Sequence, residues 1–467
     1  MSLFGSLEIG RSALMAQYKG MEVSGQNVAN ANTLGYTRQR VDMEAIIPAI
    51  VAGNQIAPGQ GVRISDITRI SSEFYHTQMV RNGSYKAYWE TMQEAYRSTE
   101  VSLMEPSEEG VGKLMEDFFD IWHHLSAAPE SIAVRMGLRD QAITFTRAIS
   151  DNYNRLNEFR RGFIDETEAT VIEINRLASE IAGINEKLIY LHALQEKSNE
   201  MFDQLDLALE ELGKLIDITV YQKNNGAADV FIGGRLLVQD QYAFHVHLQT
   251  REDPGALYDK YEIINHRGLV LDPQSGRLAG LLEAVNDTIP SVQEEMNFIV
   301  TRLVEEVNAL HVQGYGLDFV NGRNFFNDIL ANDAPASLQI SVNQEIIDDP
   351  ARIGAASEIA QPGNGEISLA LGRLRMDKTM NGTTSFSDYY RGLITAVGVK
   401  GMESDRMTSV YEKTEMQLRE RHRSITGVNI DEEAINMIQF QNAWQGAAKF
   451  INYIDEMLAV LLNIGYR

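Results

Sequence analysis

The sequence predicts a mainly α-helical, multi-domain protein with a β-rich insert, organised as nested layers. Apolar residues recur at helical spacing through most of the chain. Short alternating apolar runs, separated by Asn-Asn-Gly and Gly-Gly turns, instead fill residues 217–275. Both ends carry apolar residues at a seven-residue step, which is typical of coiled-coil helices. At 467 residues, the chain has room for about two to four domains.

The composition of the chain excludes several kinds of partner and site. The apolar fraction of 44% is enough to fill hydrophobic cores. A net charge of -24 argues against nucleic acid or an anionic membrane as a partner, because such binding depends on Lys and Arg contacts with phosphate. The absence of cysteine excludes disulfides, cysteine zinc sites and cysteine nucleophiles. No apolar run is long enough for membrane insertion, and the N-terminus lacks the pattern of an ordinary signal peptide.

The first element is a predicted helix with a narrow apolar seam. Its seam residues recur every seven positions and are Leu7, Leu14, Met21 and Val28. We expect Gly10 and Gly20 to interrupt this helix, because glycine costs about 1 kcal/mol relative to alanine in a helix interior.

An asparagine- and glycine-rich turn follows, in the stretch VSGQNVANANTLGYTRQRVDMEA. The asparagines can cap the end of the first helix, and an asparagine or the glycine before the tyrosine can adopt the left-handed conformation that stops it. Two alternating runs then predict an extended hairpin-like arm over residues 36–70. The predicted joint between helix and arm consists of Asn27, Asn30, Asn32, Gly35, Tyr36 and Arg38.

Apolar residues recur at helical spacing over residues 73–219. Few turn signals interrupt this pattern, which favours an elongated helical bundle. The helical pattern returns after the insert, whereas residues 314–365 predict loop with brief strands such as SLQISVN. The predicted domains are a terminal helical domain (1–35 plus 428–467), a mainly helical bundle (36–216 plus 276–427, including the arm 36–70) and the small β-rich insert (217–275).

The last segment has the most regular pattern. Asn429 or Asp431 can cap its start. A lone helix with an apolar seam is marginal in water, so both chain ends must pack on each other, on the bundle or on other copies. A monomer with frayed ends that order on assembly is the natural interpretation. The predicted seam residues of this segment are Met437, Phe440, Trp444, Ile451, Ile454 and Leu458.

No motif indicates catalysis or cofactor binding, and we expect neither a catalytic residue nor a cofactor. The run GVGKL lacks the first glycine and the Ser/Thr of a phosphate-binding loop. His245 and His247 share one face of a predicted strand, as two metal ligands would. Because no third ligand accompanies them, we interpret them as surface histidines and predict no metal site.

Motifs at both ends and in the middle resemble a known family. The stretches NVANANTLGYTRQ (27–39) and DEEAINMIQFQNAW resemble the terminal signatures of bacterial flagellar rod, hook and hook-associated proteins. The stretches PSEEGVGKLMEDFFDIWHHLSAAPESIAVR and SNEMFDQLDLALEELGKLIDITV resemble the flagellar hook-associated protein 1 family within that axial group. The resemblance covers most of the chain, although the insert is shorter than in some relatives.

The resemblance implies a structural protein that forms a ring between hook and filament, with its terminal helices in the axial tube. It implies three partners besides copies of itself: the hook protein, the second hook–filament junction protein and an export chaperone. The chaperone is expected on the C-terminal helix, over the seam at Trp444 and Ile451. The implied location is the extracellular flagellum, reached through the flagellar type III apparatus without a cleaved signal peptide.

Two alternatives remain open at this point. One is another flagellar axial protein, such as the second junction protein or a hook-type protein. The other is an extracellular binding or enzymatic module carried on an axial scaffold, which would require a polar pocket within residues 217–275.

Overall fold

The computed structural model describes residues 3–46, 60–253, 257–330 and 334–465. The helices are α1 (Leu3–Ala29), α2 (Glu73–Leu103), α3 (Val111–Ala127), α4 (Ile132–Ala193), α5 (Asn199–Leu215), α6 (Arg277–Glu283), α7 (Ile289–His311), α8 (Ala336–Gln339), α9 (Gln344–Asp348), α10 (Glu366–Arg373), α11 (Phe386–Thr426) and α12 (Ile430–Gly465). The strands are β1 (Gln39–Ala45), β2 (Val62–Arg69), β3 (Thr219–Gln222), β4 (Ala228–Ile232), β5 (Arg235–Gln239), β6 (Tyr242–Ala243), β7 (Val246–Arg251), β8 (Lys260–Asn265) and β9 (Val270–Leu271). None of the helices in these ranges has the length and apolar character needed to cross a bilayer.

The longest helix, α4, contributes to every hydrophobic core found in the described residues. Its 62 residues span roughly 90 Å at the usual rise per residue. The Ser131 hydroxyl accepts a hydrogen bond from the Val134 N–H and so caps its first turn. Buried apolar side chains then recur along one side, and successive parts of the helix pack into three separate cores.

The first core is aromatic and surrounds Trp122 on α3. Phe118 and Phe325 pack against it, and all three rings are fully buried. His311, at the end of α7, completes the cluster with its ring centroid 6.0 Å from that of Trp122. Its Nδ1 lies 2.7 Å from the Arg323 carbonyl, and its Nε2 accepts a hydrogen bond from the Gly354 N–H. Full burial lowers the pKa of His311 to about 4, so the ring is neutral at pH 7.

The second core joins the β-rich region to the helices. Strands β3–β4–β5–β6 and β7–β8–β9 form two antiparallel sheets, and they lie inside the predicted insert 217–275. Their buried side chains, such as Val230 and Ile263, pack with Ile174 and Leu209 from α4 and α5. The strands therefore share one core with the second half of the bundle, while the domain boundaries themselves remain a prediction.

The third core lies where α2 is flanked by α4 and α11. The Asn152 side chain of α4 donates a hydrogen bond to the Leu103 carbonyl at the end of α2. On the other flank, α11 runs antiparallel to α2. Gly401 of α11 lies beside Glu100 of α2 near its end, and an ion pair of 2.9 Å joins Glu415 of α11 to Lys86 of α2 nearer its start.

One local prediction was wrong. The stretch SLQISVN was predicted to be a strand, but its first residues lie in the helical turn α8. Within that stretch, the structure shows β pairing at a single isolated bridge between Phe326 and Val342. Ser337 and Val342 are buried, so tertiary packing outweighs the local β propensity of this stretch.

The two ends of the chain form a separate layer. α1 packs along α12, which is one of the three outcomes expected for the seamed ends. Strands β1 and β2 pair as an antiparallel hairpin that lies against α1, with a bulge between Asp42 and Met43. This hairpin is the predicted arm; the part of the arm at 47–59 lies outside the described residues.

Candidate assembly interface

The inner contact of the terminal pair uses small residues of α1. Gly10, Ala16, Gly20 and Val23 are buried at helical spacing. A β-carbon on Gly20 would lie 2.8 Å from the Phe440 ring, and one on Gly10 would lie 2.6 Å from the Ile451 side chain. The expectation that these glycines interrupt the helix was wrong. α1 continues through both positions, because each glycine lets α12 approach closely and the packing outweighs its low helix propensity.

The predicted seam residues occupy a different position from this inner contact. On α1, Leu7, Leu14, Met21 and Val28 are half-buried at the side of the pair. On α12, Ile454 is 3% exposed, whereas Met437 and Trp444 are 40% and 38% exposed. Phe440, Ile451 and Leu458 are half-buried. The pair thus brings part of the predicted set together and leaves the rest accessible to another molecule.

The outer side of the pair is unusually apolar for a solvent-facing surface. Large apolar side chains there are exposed along the length of both helices. They include Phe4, Met15, Tyr18, Ile435, Ile438, Phe450, Tyr453, Met457, Val460 and Leu461. Large exposed apolar patches are uncommon on monomeric proteins, and those that occur are often sites of interaction.

Asn27 is the centre of the joint. It lies in the last turn of α1, but its side chain bonds to the arm and to α12 and not to the end of its own helix, so the prediction that it caps this helix was wrong. Its Oδ1 accepts hydrogen bonds from the Tyr36 hydroxyl (2.9 Å) and from the Gln39 N–H (2.9 Å). Its Nδ2 donates to the Gln39 carbonyl and to Glu433 Oε2 at the start of α12. One buried amide therefore ties helix α1 to both the arm and the last helix.

The structure also shows where the other predicted turn residues lie. The Asn30 side chain and its backbone N–H both donate to the Gln26 carbonyl at the end of α1. Gly35 has φ +81°, the left-handed conformation expected of it, but it does not stop α1, which ends at Ala29. Asn32 is exposed. At the far end of the chain, Asn429 Oδ1 accepts from the Asp431 N–H, so of the two residues expected to cap α12 it is Asn429 that does so.

Arg38 connects the arm to α12 and α11. Its guanidinium lies 2.7 Å from Glu433 and 2.8 Å from Glu432, and its backbone N–H donates to the Thr426 carbonyl at the end of α11. Glu433 is only 2% exposed, whereas Glu432 is 56% exposed. A charge as deeply buried as Glu433 is stable only with its cation, so this pair makes the angle between α12 and the arm specific.

A second set of polar contacts joins the arm to α5. Asp203 accepts hydrogen bonds from the Thr37 N–H and from Arg69, at 3.1 and 2.9 Å. Burial raises the pKa of Asp203 despite both donors. Burial, with the nearby carboxylates of Asp203, Glu200 and Glu433, also raises the pKa of Tyr36 to about 12. The Tyr36 hydroxyl therefore keeps its proton and its hydrogen bond to Asn27.

Sequence reasoning missed four partners in this joint, namely Gln39, Arg69, Asp203 and Glu433. A signal existed only for Glu433, since Asp-Glu-Glu at a helix start stands out beside the asparagine cap. The other three are ordinary polar residues of a strand and a helix, and only the fold brings them together.

A cavity of about 470 Å³ opens between the arm, α5 and the β3–β4 turn, and it is lined by His76, His192 and His422. No group of three His, Cys, Asp or Glu side chains in the described ranges could hold a metal ion. The Nε2 of His245 lies 3.1 Å from the Ser179 hydroxyl of α4, and both His245 and His247 are exposed.

Comparison with known proteins agrees with this architecture. Residues 97–326 match the family model of the flagellar hook-associated protein FlgK helical domain. Residues 7–37 match the flagella basal body rod protein model, and residues 424–464 match the flagellar basal body rod FlgEFG protein C-terminal model. The two rod models thus fall on the terminal helices and the joint.

Two curated relatives and one solved structure are similar over most of their length. Flagellar hook-associated protein 1 of Bacillus subtilis is 28% identical over 99% of this chain and 98% of its own length. The Escherichia coli protein of the same name is 22% identical over 97% and 98%. The flagellar hook junction protein FlgK from Burkholderia pseudomallei shares the fold, with a TM-score of 0.66 and 14% identity over 75% of this chain and all of that one.

Proposed function

Because the chain belongs to the flagellar hook-associated protein 1 family, and is therefore a structural protein of the hook–filament junction in the bacterial flagellum, we propose that copies of it form a ring there through their paired terminal helices. In this arrangement, α1 and α12 join the axial tube, and the helical body with its β-rich region lies further out.

The observation that carries this proposal is the apolar outer side of the α1–α12 pair. The pair has already buried its small inner residues, yet side chains such as Tyr18, Ile438 and Tyr453 remain exposed. Full burial of one such side chain is worth about 1.5–3 kcal/mol. Contacts with neighbouring subunits would supply that burial, which a single copy cannot.

The predicted seam residues are the proposed contacts between copies. The half-buried side chains of Leu7, Leu14, Met21 and Val28 border the outer side of α1. On α12, Met437, Phe440, Trp444, Ile451 and Leu458 are partly accessible, while Ile454 is buried within the pair.

The joint around Asn27 and Arg38 is proposed to hold the terminal pair at one angle to the body. Its hydrogen bonds connect α1, the arm, α5, α11 and α12 within a small volume. Buried polar networks of this kind are directional, so they permit one arrangement and penalise others.

The remaining partners follow from the family. We propose the hook protein and the second hook–filament junction protein as axial neighbours, and an export chaperone that covers Trp444 and Ile451 on α12 before secretion. We also propose export through the flagellar type III apparatus without a cleaved signal peptide. The proposed role is structural, and none of its steps requires catalysis or a cofactor.

A pair of tyrosine variants tests the proposal. Tyr453 on α12 is 62% exposed, and Tyr221 on β3 is 64% exposed. Tyr453→Glu should leave the isolated chain folded and secreted, but should reduce the number of filaments in cells that carry only this copy, because a charge then enters the contact between copies. Tyr221→Glu is the matched control and should keep filament number unchanged.

Deletion of both ends is the stronger version of this test. A chain without residues 1–35 and 428–467 should build no junction, so that filament subunits are lost to the medium. If the shortened chain still built junctions and supported filament growth, the proposed role of the terminal helices would be wrong.

A further inference from the structure

Helix α11 carries an exposed cationic stripe on a strongly acidic protein. The stripe consists of Val399, Met402, Arg406, Val410, Lys413 and Arg421, which recur at helical spacing and are all exposed. Among the described residues, the structure shows no ion pair or hydrogen bond for the side chains of Arg406, Lys413 and Arg421. Three unpaired cations on one helix face are unusual in this protein, because its acidic residues outnumber its basic residues by 65 to 41. Two carboxylates interrupt this stripe, namely Glu420 and Glu403, and Glu403 is paired with Lys400.

Helix α4 carries an exposed acidic stripe of matching length. It consists of Asp151, Glu158, Asp165 and Ile172, spaced seven residues apart and all exposed. The structure shows no cation paired with these three carboxylates within the described ranges. Gly162 lies between two of them with open space around its α-carbon, which leaves a flat surface there. Basic residues border this stripe: Arg155 and Arg161 lie at its two edges, and Arg147 lies one turn before Asp151.

Each stripe lies on the side of its helix that faces away from the third core. Buried residues of α11 such as Val397 and Thr408 lie on the helix side opposite Arg406. On α4, Asn152 and Leu156 face the third core, on the side opposite Glu158. Each stripe therefore faces away from the third core, and the two stripes are different solvent-facing surfaces of the body.

The stripes also lie at the same level along α2. Near the end of α2, Glu100 lies beside Gly401 of α11, and Leu103 accepts a hydrogen bond from Asn152 of α4. Nearer its start, Lys86 pairs with Glu415 of α11. Ser84 accepts a hydrogen bond from the Gly276 N–H, and the next residue, Arg277, pairs with Glu166 of α4. Lys413 and Asp165 are therefore at similar heights.

We infer that the cationic stripe of α11 binds the acidic stripe of α4 on a second copy of this chain, side by side. A contact between two different faces of the same protein repeats around a ring, which a contact between identical faces cannot do. Complementary charges set the register of such a contact and exclude wrong partners. The inference rests on the proposed function, because it needs copies held next to each other.

Charge reversal tests the contact in cells that carry only the variant copy. Arg406→Glu with Lys413→Glu should reduce filament number at least tenfold, and so should Glu158→Lys with Asp165→Lys. A chain with all four changes restores opposite charges across the contact and should recover filaments. Recovery is the decisive result, because damage to folding or export cannot be cancelled by a second set of changes on another helix.

Two control variants carry the same charge changes elsewhere. Lys187→Glu with Arg235→Glu matches the first reversal, and Glu186→Lys with Glu196→Lys matches the second; all four positions are exposed. Both controls should keep filament number unchanged. If the reversed stripes behaved like these controls, or if the fourfold variant failed to recover although it folded and was secreted, the inference would be overturned.

Disulfide formation identifies the partner. The chain has no cysteine, so Lys413→Cys with Asp165→Cys introduces the only pair. Isolated hook–filament junctions should then give a ladder of cross-linked copies under oxidation, since two cysteines bond only when their α-carbons come within about 7 Å. Lys413→Cys with Glu186→Cys should give none. Cross-links to a different protein, or none from junctions that still support filaments, would overturn the inference and leave the role of the terminal helices standing.

Discussion

The body and the terminal helix pair use the same residue types in opposite ways. In the body, large apolar side chains point inward, and Trp122 is 0% exposed within an aromatic core. In the terminal pair, small residues make the inner contact, and Trp444 is 38% exposed. The body is thus stabilised by its own packing, whereas the pair keeps much of its apolar area available for other molecules.

The joint between the terminal pair and the body is polar. At the base of the terminal pair, Asn27, Arg38 and Glu433 form a buried network that directs the pair relative to the arm. Apolar packing accepts many arrangements of similar energy, whereas hydrogen bonds between buried polar groups accept few. The inner contact of the terminal pair is made by small residues. We therefore expect the orientation of the pair to depend on the joint more than on its apolar seam.

The largest expected effect compares the two tryptophans. Trp122→Ala should lower the free energy of unfolding of the isolated chain by about 3–5 kcal/mol, because it leaves a cavity in a closed core. Trp444→Ala should lower it by less than about 1 kcal/mol, because the side chain is already partly in water. Urea unfolding followed by circular dichroism measures both. Equal losses would show that the terminal pair is as tightly packed as the body.

Acid should affect the body through His311. Its pKa is about 4 in the folded chain and about 6.5 when unfolded, so the unfolded chain binds more protons between these values. Stability is therefore fully present above pH 6.5 and is lost as the pH falls towards 4, by about 3 kcal/mol.

The measurement is urea unfolding at pH 7 and pH 4, compared with His311→Phe. The variant will be less stable at pH 7, but it should lose about 3 kcal/mol less than the parent on acidification. An identical loss in both chains would contradict the neutral, buried state of His311.

Two neighbouring glutamates test the joint. Glu433→Gln should destabilise the docked terminal pair by about 2–3 kcal/mol, since Arg38 loses its buried partner but keeps some access to water. Glu432→Gln removes an exposed partner and should cost less than about 1 kcal/mol. Hydrogen exchange along α12 measures the docking directly. Equal protection of α12 in the two variants would remove the special role assigned to the buried carboxylate.

The smallest effect concerns close approach of the two terminal helices. Gly20→Ala should destabilise the pair by about 1–2 kcal/mol, because the new methyl group would lie 2.8 Å from the Phe440 ring. Gly25→Ala, one and a half turns later, meets nothing within 4 Å and should stabilise α1 by up to about 1 kcal/mol. Thermal unfolding of the two variants should shift in opposite directions, and a shift in the same direction would argue against the small-residue contact.

Local features were predictable from the sequence, and contacts between distant residues were not. The Asn429 cap, the left-handed Gly35 and the hairpin arm follow from short patterns, and the structure has all three. Gly10 and Gly20 were misjudged because propensity describes an isolated helix, whereas their role depends on Phe440 and Ile451 more than 400 positions away. Asn27 was misjudged for the same reason.

The same separation governs when the outer apolar surface can form. Asn27 and Glu433 are 406 positions apart, so their contact is among the most non-local in the chain. Contacts of high sequence separation form late in folding, because the intervening chain must first be ordered. A chain delivered one end first has no paired ends until its last helix arrives. The terminal pair, with the apolar outer side that it carries, is therefore complete only when both ends of the chain are present.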